Sequence, residues 1–167
     1  MSQRTIKAKL LTAKAFERFG DVIECAGEPD KIINQGMCGR FHDRADLQTK
    51  GDDGRIGLSL FNAEPRSMPY TLTMMERHPL GSQCFVPMSE HSFLVVVADD
   101  HKDVPGEPLA FITQPGQAVN YHANTWHGVL TPLHPPGRFV VIDRIGEASN
   151  LEEHWFEGAY TVVRQDA

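Results

Sequence analysis

The sequence predicts an all-β domain, an antiparallel sandwich or barrel with one short helix near its N-terminus. Three observations carry that expectation. Short apolar runs recur along the chain, Pro- and Gly-containing turns separate them, and helical periodicity is confined to brief segments. No internal repeat or low-complexity linker interrupts the 167 residues. Residues 1–167 are therefore expected to form one domain, long enough to bury about two-thirds of its unfolded surface without a disulfide or metal staple.

The elements follow in order. Thr12 can cap a short helix, Leu11 can staple onto Phe16, Phe16 and Phe19 share a face, and Gly20 stops it. Residues 21–53 are polar and turn-rich. They read as a solvated loop with a cross-strand pair, although Arg40, His42 and Asp43, crowded together, could form one wall of a site. From Arg55 the pattern is β, with Ile56, Leu58 and Leu60 alternating with Gly57 and Ser59 as in a half-buried strand. Pro65 and Pro69 then break the chain ahead of a central strand. Residues 92–98, SFLVVVA, read as a strand covered on both faces, and a charged turn over 99–108 follows. Short strands are expected over 109–113 and 118–122, separated by Pro115-Gly116. Residues 123–133 carry Trp126 and His127 into a further strand, and 138–144, RFVVIDR, form another. The tail is expected to hold a short helix over 151–155 and a terminal strand over 160–163.

Composition removes several function classes. A net charge of −6 offers no long-range attraction to phosphate backbones or anionic lipid, so neither nucleic acid nor membrane is an expected partner. The three cysteines, Cys25, Cys38 and Cys84, are odd in number and widely spaced. That suits neither a secreted disulfide framework nor a paired-cysteine zinc site, and they read as reduced thiols. The opening residues lack an apolar core of secretory length, and no run approaches ~20 apolar residues, so a cytoplasmic protein is expected.

Chemistry concentrates in residues 70–88, YTLTMMERHPLGSQCFVPM. With the period of two of a β-strand, Leu72, Met74, Glu76 and His78 fall on one face, so two metal-capable side chains point the same way. Strand parity turns Arg77 away from Glu76. An ionised carboxylate on an inward face is costly unless paired or metal-bound, which gives Glu76 a functional reading beside that of an ion pair with Arg144 or Arg40.

Two features resemble the cupin barrel. The first cupin motif runs H-x-H, three or four residues, then E, with a later histidine from a second motif. Here Glu76-x-His78, four residues and Gln83 keep the spacing, and His127 follows Pro115-Gly116. What this implies is a cupin-like antiparallel barrel or jelly roll, and a set of Glu76, His78, Gln83 and His127 that could hold a divalent metal, nickel or similar, weakly.

Over essentially its whole length the chain also resembles the ureidoglycolate lyases. The stretches that carry this are FGDVIE (19–24), INQG and GRFHD (33–43), ERHPLGSQCFVPM (76–88), FLVVVA (93–98), NYHANTWH (120–127) and IDR (142–144). Gly128 departs from the family, where a second histidine is common after the first. The resemblance implies cleavage of (S)-ureidoglycolate to glyoxylate and urea late in allantoin and purine breakdown. It also implies a cupin-like homodimer with a divalent metal in some members.

The substrate dictates what a site must supply. Ureidoglycolate carries hydroxyl, carboxylate and urea nitrogen on one carbon, so it separates when the hydroxyl loses a proton and the nitrogen gains one. Acid-base work of this kind favours histidine, and an arginine fork suits the carboxylate. His78, His127 and Glu76 are accordingly the catalytic candidates. Arg40, His42, Arg77, Gln83, His122, Trp126, Asp143 and Arg144 are candidates for substrate binding, with Arg40 and Arg144, beside Asp43 and Asp143, the leading clamps. Two alternatives stand beside the lyase: an amidohydrolase releasing ammonia from the same substrate, and a non-catalytic cupin binding a small carboxylate.

Overall fold

The computed structural model describes residues 4–165. They form fourteen strands and one helical turn. The strands are β1 (Arg4–Leu10), β2 (Gly20–Ile23), β3 (Lys31–Ile33), β4 (Cys38–Arg40), β5 (Arg55–Asn62), β6 (Tyr70–Arg77), β7 (Gln83–Pro87), β8 (Phe93–Ala98), β9 (Leu109–Ile112), β10 (Ala118–Tyr121), β11 (Trp126–His127), β12 (Thr131–Pro132), β13 (Arg138–Ile145) and β14 (Glu152–Arg164). Helix α1 (Ala13–Phe16) has the expected cap: the Ala15 amide donates to Thr12 Oγ1 at 3.2 Å, and Leu11, Phe16 and Phe19 are all buried.

The all-β, cupin-like expectation holds. One sheet, in the order β11-β6-β14-β1-β9-β8-β12, closes on itself because β11 also pairs with β8, giving a six-stranded barrel. A second sheet, β2-β10-β7-β13-β5, packs against the barrel, and β3 and β4 form a separate hairpin. The ladders are antiparallel except that β1 runs parallel to both β14 and β9.

Two apolar layers result. Ile6, Leu72, Met75, Leu94, Val96 and Val162 fill the barrel. Phe16, Phe85, Val95, Val97, Tyr121 and Val141 fill the gap between barrel and second sheet. β8 serves both, Leu94 and Val96 on one face and Val95 and Val97 on the other, as its β-branched run predicts. Each such side chain contributes about 1.5–3 kcal/mol by leaving water.

Three local expectations are corrected. Residues 151–155 are not helical, because Glu152–Arg164 is one long strand that satisfies its backbone against β6 and β1. A single turn of helix would have had to form without those partners. On β5 the apolar residues face outward: Leu58 is 66% and Leu60 69% exposed, and Ile56 is also exposed. The inward row of β5 is Gly57, Ser59 and Phe61, set opposite Asp143, Val141 and Phe139; Phe61 meets Phe85 edge-on, and a Cβ on Gly57 would overlap Ile145. Finally, Leu72 and Met75, three positions apart, pack in the same layer, so strict alternation along β6 fails between them. In the same stretch β14 shifts register against β6 between Trp155 and Tyr160, which places extra β14 residues opposite β6. Glu76 and His78 keep a common face; Leu72 does not share it.

Among the described residues no helix is long and apolar enough to cross a membrane.

Candidate active site between barrel and sheet

The last residues of β6 and the short β11 meet in one ladder, where Glu76 pairs directly with His127. His78 follows two positions later, and the rings of His78 and His127 stand with centroids 5.3 Å apart. His78 Nε2 lies 3.9 Å from Glu76 Oε1. One ligand-capable atom from each of Glu76, His78 and His127 falls within 4.8 Å of the others, close enough to share a cation.

Each imidazole is held by its other nitrogen. His78 Nδ1 donates to the Asn150 carbonyl at 2.8 Å, and His127 Nδ1 donates to the Gly128 carbonyl at 2.9 Å. Protonation at Nδ1 leaves Nε2 as a bare acceptor on both rings, and both Nε2 atoms are buried without a partner. His78 is further fixed by its own carbonyl, which accepts from the Asn124 amide at 2.8 Å.

The second sheet closes the site from the opposite side. Tyr121 stacks on His127 with centroids 4.3 Å apart and 3° between the planes. Gln83 pairs with both Tyr121 and Asp143 in register, so these three side chains share the face toward the barrel. Gln83 Nε2 donates to Asp143 Oδ2 at 3.1 Å, which leaves Gln83 Oε1 another buried, unpartnered acceptor.

The electrostatics follow from burial. His127, 1% exposed, is pushed down to about 3 by desolvation, reinforced by the neighbouring His78, and is neutral at pH 7. Desolvation raises the Glu76 carboxyl above its ordinary range, with Glu153 adding to the rise and His78 opposing it. Burial raises the Tyr121 phenol, and the Glu76 charge adds to that. Two bare imidazole nitrogens, a reluctant carboxylate and an amide oxygen thus form an acceptor-rich cluster. It suits a divalent cation, or a small molecule with several O–H and N–H donors.

The other candidates stand elsewhere. Arg77 is buried on the opposite side of β6, as parity predicts, and is consumed there: it donates to Glu152 at 2.5 Å, Asp100 at 2.9 Å and Asp103 at 3.2 Å and lies over the Trp126 ring. Trp126 packs inside the barrel and donates to Asp100, away from His127. Neither touches the cluster, because adjacent strand residues face opposite ways. Arg144 donates to the Lys50 carbonyl at 2.8 Å and pairs with Asp53, so Asp143 does not orient it and it reaches no substrate space. Arg40 and His42 are exposed at and beyond the end of the β3–β4 hairpin, where the His42 amide donates to Asp30. His122 meets Asp21 at 3.1 Å, within a group that also ties Asn120 and the Asp46 amide to that carboxylate. Glu76 lies beside His78 and feels the charge of Glu153, and neither Arg40 nor Arg144 pairs with it.

Tyr121 and Asn150 belong to the site but were not among the candidates. Tyr121 stands in the NYHANTWH stretch, where alternation with Asn120 could have marked it as inward. Asn150 comes from a loop, and nothing in its local sequence signals His78.

Comparison with known proteins places the sequence in one family. A sequence model of the family described as ureidoglycolate lyase matches residues 3–163. A ureidoglycolate lyase of Mesorhizobium japonicum is 50% identical over 157 residues, 94% of this chain and 96% of that protein. One from Rhodobacter capsulatus is 53% identical over 144 residues, 86% and 89% of the two chains. Ureidoglycolate lyase 2 of Rhizobium meliloti is 53% identical over 152 residues, 91% and 93%.

Proposed function

Because the chain belongs to the ureidoglycolate lyase family, we propose that it cleaves ureidoglycolate to glyoxylate and urea at the Glu76–His78–His127 cluster. The observation that carries the reading is the pair of buried, partnerless Nε2 atoms on His78 and His127 beside the raised carboxyl of Glu76.

The reaction moves one proton from oxygen to nitrogen and consumes no water. His78, the less buried imidazole, takes the hydroxyl proton at Nε2, and the Glu76 carboxylate 3.9 Å away faces the resulting imidazolium. The C–N bond breaks with its electron pair leaving on nitrogen while the C–O bond becomes the carbonyl of glyoxylate. His78 then hands the same proton to that nitrogen, and urea departs. His127, neutral because of its burial, accepts a hydrogen bond from the substrate, and Gln83 Oε1 accepts one from the ureido N–H groups.

In an alternative use of the same atoms, Glu76, His78, Gln83 and His127 fit a divalent ion such as nickel, and His78 Nε2 would then be a ligand in place of the proton carrier. Such an ion would supply positive charge for the substrate carboxylate and acidity for its hydroxyl, a service that neither Arg77 nor Arg144 is free to give.

The proposed enzyme is a cytoplasmic homodimer acting late in allantoin breakdown. Supporting the dimer is the outer face of the five-stranded sheet at its β5 edge, where Leu58 and Leu60 are exposed and Leu60 continues through Val140 to Val86 as an apolar row. A solvated face of an antiparallel sheet is normally polar, and a second copy would cover this one.

The deciding assay measures glyoxylate, urea and ammonia from ureidoglycolate, with and without chelator. Equimolar glyoxylate and urea is the expected result. Ammonia in place of urea, or no turnover at all, overturns it.

A further inference from the structure

Arg144 carries the features of a clamp, buried and charged beside the site, yet its guanidinium is enclosed. Its side chain is 1% exposed. Four glycines press against it. A Cβ on Gly54 would stand 2.6 Å from Nε, on Gly146 2.5 Å from Nη1, on Gly51 3.3 Å from Nη2 and on Gly81 2.7 Å from the Arg144 Cβ. A channel walled by glycine on four sides fits one extended guanidinium and no ligand beside it.

From that channel two branches of hydrogen bonds run to the loop that holds His78. Arg144 Nε donates to the Lys50 carbonyl, the Lys50 amide donates to the Leu80 carbonyl at 2.8 Å, and the Leu80 amide donates to Asn150 Oδ1 at 2.7 Å. On the other side Arg144 pairs with Asp53, whose second oxygen accepts from the Glu147 and Ala148 amides, both at 2.9 Å. The first branch ends on the Asn150 side chain and the second on the amides of Glu147 and Ala148, just earlier in the same loop, and the carbonyl of Asn150 receives His78 Nδ1.

We propose that Arg144 is a positioning residue: by fastening residues 50–54 and 146–150 together it holds the Asn150 carbonyl in place and so fixes the tautomer and aim of His78. The proposal deepens the reading of His78 as the proton carrier and rests on it. Asp53 works with Arg144 as its anchor. Gly54 and Gly146 are required because a Cβ at either position would displace the guanidinium.

The test uses Arg144→Lys, Asp53→Asn and Gly146→Ala in the full chain. Long-range proton–nitrogen NMR of the His78 ring, titration with Ni2+ alone, steady-state kinetics and thermal melting are read together. The expected result is folded protein in which the single Nδ1-protonated tautomer of His78 becomes a mixture. Ni2+ affinity and kcat each fall by about 10–100-fold, the usual effect of losing an orienting partner, while KM changes less than kcat. A merely structural Arg144 would lower the melting temperature and leave the tautomer alone. Folded variants that keep one tautomer and the unaltered protein's Ni2+ affinity overturn the proposal. If Arg144→Lys fails to fold, Asp53→Asn and Gly146→Ala decide, since both keep the arginine. If the unaltered protein releases no urea, the lyase reading fails by itself, and the tautomer still decides the role of Arg144.

Discussion

The ring of Tyr121 lies flat on the imidazole of His127, 3° from parallel and 4.3 Å between centroids, although the two residues belong to different sheets. The stack ties the five-stranded sheet to the barrel at the point where the unpartnered Nε2 of His127 is presented. Tyr121→Phe keeps the ring and should keep turnover within a few-fold. Tyr121→Ala removes a buried aromatic and should cost about 3–5 kcal/mol of stability, with a drop in kcat measured at a temperature where the variant is still folded.

Loss of the proton carrier should be visible in kcat. His78→Ala is expected to lower urea release by about 100- to 10,000-fold, the usual contribution of a positioned acid-base group, with circular dichroism unchanged. A folded variant at full activity would remove His78 from the chemistry.

Acid should destabilise the fold through His127. Its folded value near 3 lies below the ordinary 6.5 that it regains on unfolding. Between those values the unfolded chain binds the additional proton, so this contribution is complete above about pH 6.5 and is lost as the pH falls toward 3. The slope reaches about 1.4 kcal/mol per pH unit. Glu76 acts in the opposite sense, because its raised folded value lets the native state take up its proton first and offsets part of the loss at the acid end. Urea denaturation at pH 7.5 and 5.5 measures the slope, and His127→Gln should flatten it.

Any divalent ion at the cluster should be labile. An amide oxygen and one carboxylate beside two imidazoles make a weaker set than three histidines with a carboxylate. Elemental analysis before and after mild chelation tests this, and stoichiometric zinc that survives dialysis against chelator would contradict it.

The outer sheet face gives a test of assembly. Leu60→Lys places a charge in the apolar row, and light scattering should show a shift from dimer to monomer with the melting temperature little changed. A dimer unaffected by Leu58→Glu and Leu60→Lys together would place the interface elsewhere.

The parts of this site that are local in sequence could be read there. Glu76 and His78 share a face because they are two apart on a strand, and His127 and Gln83 follow from motif spacing. What could not be read depends on long-range pairing. Ile56, Leu58 and Leu60 alternate correctly for a strand, but which face turns inward is set by Phe139 and Val141 on β13. Arg144 has the charge and burial of a substrate clamp, and only the fold shows that its hydrogen bonds end on Lys50 and Asp53. The helix expected over 151–155 was lost to a ladder with residues far back in the chain.

That same ladder governs the timing of biosynthesis. β14 joins Arg4 to Tyr160 and, on its other edge, Met74 to Trp155, so it lies between β1 and the strand bearing Glu76. While the ribosome still holds residues 152–164, β1 and β6 each lack the neighbour that covers their edge, and the barrel cannot close. Until residues 152–164 are available to pair, both edges stay open, a dependence set by non-local pairing that exposes the folding chain to edge-to-edge association until β14 docks.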